Sequence, residues 1–303
     1  RILSADVAFK DIGLLIIDEE QRFGVKQKEK FKQLRENLDI LSLSATPIPR
    51  TLYLALSGFR SISIINTPPL GRVPIETFVL PHEQKTISKA IREELHRHGQ
   101  VYFLHNKIAT IESVRAMLAE LVPEAKFKTA HGRTGEQQLR AILRAFKDKK
   151  FDVLVATTII ENGLDIKNVN TLIVDDATRL GLAQAYQIRG RVGRSEKKSK
   201  AYFLYPVRGR PAEDTASAAT GRLTSNGVYS SKILSEDAQK RLDALQEATE
   251  LGSGYLIAQR DLEIRGAGNV LGKKQSGAIN QVGLNLYCQI LNEAVENLNA
   301  SYA

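Results

Sequence analysis

DVLVATTIIENGLDIKNVNTLIVD, residues 152–175, decides the fold. Two runs inside it, DVLVAT at 152–157 and TLIVD at 171–175, carry almost no polar interruption. A strand with one wet face alternates apolar and polar side chains. An unbroken apolar run needs both faces covered, as in the parallel sheets of α/β proteins. Working outward, VYFLH at 101–105 and AYFLY at 201–205 read the same way, and a shorter strand is centred on Phe127. Helix-period segments separate them. Ile87, Ile91 and Leu95 mark one, stopped by Gly99; Ile111, Val114, Leu118 and Leu121 mark the next, stopped by Pro123. Thr134 and Gln137 then have the spacing of a capping box before Leu139, Leu143 and Phe146. Strands alternating with helices of this length predict βαβ units and a parallel sheet, one complete α/β domain from Pro81 to Pro206.

The flanks differ. Residues 1–66 resemble the tail of a second such domain, with LLIID and DILSLSAT (39–46) as strands joined through a basic helix around Lys26 to Arg35. TPPLGRVP at 67–74 reads as a proline-rich hinge. Val207 to Ser235 is Gly-, Ser-, Thr-, Ala- and Arg-rich without periodicity, as in a long loop or insertion. Leu242, Leu245 and Leu251 mark a further helix stopped by Gly252, and Leu284 to Leu298 a last one. The expected divisions are therefore 1–68, 69–206, 207–235 and 236–303. The chain opens on Arg1 and its one methionine is Met117, so it reads as a piece of a longer protein.

The 303 residues are 43% hydrophobic and 25% charged, ordinary for a globular protein of about two domains. A net charge of +9 favours an anionic partner, nucleic acid first. The single cysteine, Cys288, excludes an internal disulfide and any multi-cysteine metal site, and its apolar helical surroundings suggest a core position. No apolar run approaches the roughly 20 residues that span a bilayer, so a cytoplasmic, membrane-free protein is expected.

Two motifs carry chemistry. Asp18 and Glu19 follow the apolar run LLII, at the strand end where open α/β sheets bind ligands. Asp18 is suited to hold Mg²⁺ through water, and Glu19 to orient or deprotonate a hydrolytic water. QIRGRVGR, Gln187 to Arg194, sets Arg191 and Arg194 three apart; on a helical turn that spacing puts both forks on one face, matched to phosphate oxygens. Ser44 and Thr46 end the second strand with hydroxyls suited to link nucleotide and nucleic-acid sites. Thr157 and Thr158 end another, where hydroxyls and backbone N–H groups can hold a DNA phosphate. Asp165 suits the nucleotide site better.

DEEQRFGV (18–25), SATPIPRTL (44–52), VLVATTIIENGLDI (153–166) and QIRGRVGRS (187–195) stand in the order of motifs II, III, V and VI of superfamily 2 helicases. Their spelling resembles the double-stranded DNA translocase branch that holds RecG and the transcription-repair coupling factors (Mfd). Gln21, where RecG usually has histidine, favours the latter, as does DLEIRGAGNVLGKKQSG at 261–277, which resembles that branch's translocation motif. The resemblance implies tandem RecA-like (P-loop NTPase) lobes, the first incomplete, followed by a mainly helical translocation-motif region. ATP and Mg²⁺ are the implied cofactors. Asp18, Glu19, Arg191 and Arg194 would be catalytic, with Glu20, Gln21, Gly163, Asp165 and Gln187 at the nucleotide. Thr157, Thr158, Arg260 and Arg265 would meet DNA. The implied partners are double-stranded DNA, RNA polymerase and a nucleotide-excision-repair damage-recognition protein, the last two through modules outside this chain. Asn162 departs from the Thr or Ser of coupling factors, and Lys274 from the acidic residue before QSG. No G-x-x-x-x-G-K-[ST] loop occurs, so the chain alone is expected not to hydrolyse ATP. The alternatives are RecG-like fork remodelling and a passive DNA-binding remnant.

Overall fold

The computed structural model describes residues 7, 11–19, 23, 38–46, 61–65, 67, 73–161, 166, 168–194, 197–206, 234–248, 252–265, 290 and 293. The chain forms two compact units, one of residues 1–64 with 265–303 and one of residues 65–264. In the first, β1 (Leu14–Asp18) and β2 (Asp39–Leu43) pair in parallel, with Leu14 opposite Asp39 and Asp18 opposite Leu43. Both strands fall inside the expected runs. The expected helix around Lys26 to Arg35, Cys288, nearly all of 207–235 and all of the final helix but residues 290 and 293, which are helical, lie outside the described residues.

The second unit is built on a six-stranded parallel sheet. Its strands are β3 (Ile75–Pro81), β4 (Gln100–Leu104), β5 (Phe127–Ala130), β6 (Val153–Ala156), β7 (Val169–Val174) and β8 (Ser199–Tyr205), in the order β3-β8-β7-β4-β6-β5. The helices are α1 (Gln84–His96), α2 (Ile111–Leu121), α3 (Glu136–Lys147), α4 (Leu182–Arg189), α5 (Glu236–Glu247) and α6 (Gly254–Arg265). Among the described residues no helix is long and apolar enough to cross a membrane.

The apolar runs behave as their composition requires. Side chains alternate across a strand, so β4 sends Val101 and Phe103 to one face and Tyr102 and Leu104 to the other, all buried. One face packs with Ile87 and Ile91 of α1 and Ile111 and Leu118 of α2. The other takes Phe146 of α3, Leu182 and Ile188 of α4, Leu242 and Leu245 of α5 and Ile257 of α6.

One strand was not foreseen, and two local expectations fail. β3 begins directly after the proline-rich stretch and escapes the apolar-run test because it is an edge strand, IETFVLP, with polar residues along it. The capping box does not form: α3 starts at Glu136 with Gly135 as its N-cap and no side-chain cap. Thr134 Oγ1 instead accepts from the His131 N–H at 3.1 Å. The helix expected to reach Gly252 ends at Glu247, and α6 begins at Gly254. α5 is capped in the ordinary way, Ser235 accepting from the Ala238 N–H at 3.2 Å with Glu236 and Asp237 in the first turn.

Candidate functional site

In the first unit, Asp18 ends β1 and is exposed, while Glu19 follows in a left-handed conformation with φ 53°. The Glu19 N–H donates to the Leu43 carbonyl at 2.9 Å, which extends the strand pairing and holds the kink. A non-glycine residue in that region costs about 1–3 kcal/mol and concentrates at functional sites. Ser44 lies at the end of β2, its hydroxyl donating to the Thr46 carbonyl at 2.8 Å, and Thr46 is buried. Asp18, Glu19 and Ser44 thus share the carboxyl end of one parallel pair. Mg²⁺ commonly needs only one or two protein carboxylates beside substrate phosphates and water, and the exposed Asp18 fits that role. Glu20 and Gln21 lie outside the described residues.

In the second unit, the carboxyl end of β6 carries Thr157, buried, and Thr158, half-buried in a short 3₁₀ turn over Thr158–Glu161. The Thr157 N–H donates to the Ala130 carbonyl at 3.3 Å, so β5 fixes where this turn begins. Gly163 and Asp165 lie outside the described residues.

QIRGRVGR requires a correction. α4 ends at Arg189, and Arg191 and Arg194 follow in a turn instead of sharing a helical face. The Arg191 N–H donates to Ile188 and the Val192 N–H to Arg189, tight i to i−3 bonds that close the helix. Gly193 then takes φ 74°. A Cβ there would meet Ile75 Cγ1 at 2.8 Å, so glycine is needed for both the backbone conformation and the approach to β3. Gln187 is half-buried within α4. The turn is anchored by a residue that spacing did not single out. Arg189 is 5% exposed, donates to the Leu245 carbonyl of α5 at 3.0 Å and to Thr77 Oγ1 of β3 at 3.3 Å, and lies 4.8 Å over the Tyr186 ring. Burial pushes its guanidinium below the ordinary arginine range, partly offset by Tyr186. Of the three arginines in the motif, Arg189 is buried, while Arg191 and Arg194 are half-buried.

Arg260 is exposed on α6 and pairs with Glu263 at 3.1 Å; Arg265 is the last residue of that helix. Arg241 of α5, not singled out by the motifs, donates to the Thr178 carbonyl at 3.2 Å.

A second polar group was also missed. His82, His105 and Asp175 each stand one residue beyond β3, β4 and β7, and each backbone N–H continues the ladder: to Tyr205, Ala156 and Leu104. The Asp175 carboxylate bonds His82 Nε2 and His105 Nδ1, both at 2.6 Å. Burial pushes its pKa up, but the two imidazole hydrogen bonds outweigh that and leave it lowered to about 2. The available signal was positional: histidine stands just after the strand at 82, 105 and 131.

Residues 84–196 match the helicase conserved C-terminal domain. A structure of RecG bound to a three-way DNA junction superposes with TM-score 0.62 at 30% identity, covering 95% of this chain and 34% of that one. A structure of S. cerevisiae Dbp5 L327V bound to RNA and ADP BeF3, at 14% identity and TM-score 0.54, shares the fold alone. The sheet and its motifs therefore define a RecA-like segment of a superfamily 2 helicase. Within that class, the chain is 51% identical over 296 residues to the transcription-repair-coupling factor of Bacillus subtilis and 48% identical over 298 residues to that of Myxococcus xanthus. Each alignment covers 98% of this chain, which spans only 23% of either relative's length. The chain is thus similar, along nearly its whole length, to one part of the transcription-repair-coupling factors.

Proposed function

We propose that the chain is the motor portion of an ATP-dependent double-stranded DNA translocase that displaces stalled RNA polymerase and promotes nucleotide excision repair. The observation that carries this reading is the ordered set of helicase motifs in a chain that matches coupling factors along 98% of its length. Asp18 would hold Mg²⁺ through water, and the metal would neutralise charge on the β- and γ-phosphates. Glu19 orients the attacking water, its left-handed backbone fixing the direction of the side chain. Arg191 and Arg194 stabilise charge developing on the γ-phosphate, with Glu20, Gln21, Gly163, Asp165 and Gln187 at the nucleotide. Thr157 and Thr158 hold a DNA phosphate. Ser44 and Thr46 relay nucleotide state to the DNA path, and Arg260 and Arg265 serve movement along the duplex. Residues 1–68 would belong to the first lobe, 69–206 to the second and 236–303 to the translocation region, after an insertion at 207–235.

The 303-residue chain lacks a phosphate-loop motif and should bind duplex DNA without appreciable ATP hydrolysis. Fused behind a phosphate-loop segment from the B. subtilis relative, it should show DNA-stimulated ATPase activity that Glu19→Gln lowers at least about a hundredfold. Stimulated hydrolysis that survives Glu19→Gln would contradict the assignment.

A further inference from the structure

The carboxylate shared by two histidines has no role in the chemistry above. It belongs to a longer chain of bonds: His82 to Asp175, Asp175 to His105, and His105 Nε2 to Thr110 Oγ1 at 2.8 Å. An ionised carboxylate only accepts, so His82 donates from Nε2 and His105 from Nδ1. Neutral His105 is then left with a bare Nε2, and the Thr110 hydroxyl donates to it. Thr110 is the N-cap residue of α2, yet its side chain makes no capping bond. Protonating His105 reverses the last link. Nε2 becomes a donor, Thr110 must accept, and the hydroxyl proton turns outward.

The charge also changes. With both rings neutral the group carries −1; with both protonated it carries +1. Among the described residues nearby, Asp176, after β7, accepts from Thr178 and Arg179 at 2.5 and 3.0 Å; Lys107 lies two residues beyond His105; and Tyr205, at the end of β8, accepts the His82 N–H at its carbonyl. The His82, His105 and Asp175 side chains are 13, 12 and 15% exposed, so the group is close to solvent but mostly desolvated. It stands at the same edge of the sheet as Thr157 and Thr158.

We propose that His82, Asp175, His105 and Thr110 form a proton-linked relay that strengthens this edge's hold on a nucleic-acid backbone as pH falls. It rests on the reading of that edge as the DNA side. Two added charges roughly 8 Å from a phosphate correspond, by Coulomb's law in water, to about a fivefold gain in affinity.

The test is the affinity of the 303-residue chain for a blunt DNA duplex at pH 7.5 and pH 5.5, at constant ionic strength. Native protein should bind about fivefold tighter at the lower pH. His82→Gln with His105→Gln should reduce that ratio to less than about twofold, while His98→Gln leaves it intact. A double variant that keeps the full ratio overturns the relay. Nitrogen-15 NMR of the imidazoles without DNA supplies an independent arm, including for a variant that folds poorly. Neutral His105 carrying its proton on Nε2, or neither ring charging between pH 8 and pH 5, would also overturn it. Failure to bind duplex at either pH would instead count against the DNA-translocase reading.

Discussion

At the amino ends of β4 and β7 one carboxylate is fully buried; at their carboxyl ends another is held just beneath the surface. Glu94 of α1 accepts from Asn170 Nδ2 at 3.0 Å and Thr171 Oγ1 at 2.6 Å, and pairs with Arg97. Around it, the Gln100 amide donates to the Phe146 and Phe151 carbonyls at 2.7 and 2.8 Å, and Asn168 donates to the His98 carbonyl at 3.1 Å. That end is built of neutral amides and hydroxyls around one ion pair, with nothing that titrates near neutral pH directly on the carboxylate. Asp175 at the other end is bonded to two imidazoles. The same sheet thus carries a structural lock at one end and a proton-responsive group at the other, and only the second lies where parallel sheets bind ligands.

The contrast can be broken by substitution. Glu94→Ala takes the acceptor of Thr171 Oγ1 and one of the acceptors of Asn170 Nδ2, and should cost about 3–5 kcal/mol, read as a lower urea midpoint. Gly99→Ala attacks the same lock through space, because its Cβ would fall 1.5 Å from Glu94 Oε1. Expelling that carboxylate from its partners should cost about 2–3 kcal/mol in the same measurement. Asp175→Asn should cost about 2 kcal/mol at pH 7, the linkage value of a carboxylate lowered from 3.8 to about 2. The sign is that of a depressed acid: the stabilisation is complete above the unfolded value and is lost as pH falls through about 2, so native and variant urea midpoints should converge in strong acid. Gly193→Ala, with its positive φ and close contact to Ile75, should cost about 1–2 kcal/mol and displace the Arg191–Arg194 turn. At the small end, Arg140→Ala breaks only the exposed pair with Glu136 and should change stability by less than about 0.5 kcal/mol.

Much of this was legible in the amino-acid sequence where the chemistry is local. The buried strands announced themselves through unbroken apolar runs, because covering both faces leaves no room for polar residues. The helicase motifs pointed, through order and spelling, to the proteins this chain is similar to. What escaped depends on distant parts of the chain meeting. Arg189 looks like one more motif arginine until Leu245, 56 residues on, is found accepting its hydrogen bond. Asp175 reads as an ordinary strand-end acid, since its partners His82 and His105 lie 93 and 70 residues away. The Arg191–Arg194 spacing misled in the opposite way: spacing implies a shared face only while the helix continues, and Gly190 and Gly193 end it.

The central claim is that the carboxyl edge of the second unit meets DNA and the amino edge only holds the fold together. It is tested most directly by duplex-DNA affinity at pH 7, measured side by side for Thr157→Val with Thr158→Ala and for Glu94→Gln, at a temperature where both remain folded. The account predicts that the threonine pair weakens binding about tenfold while Glu94→Gln stays within about twofold of native. Weakening by Glu94→Gln with native affinity in the threonine variant would contradict it.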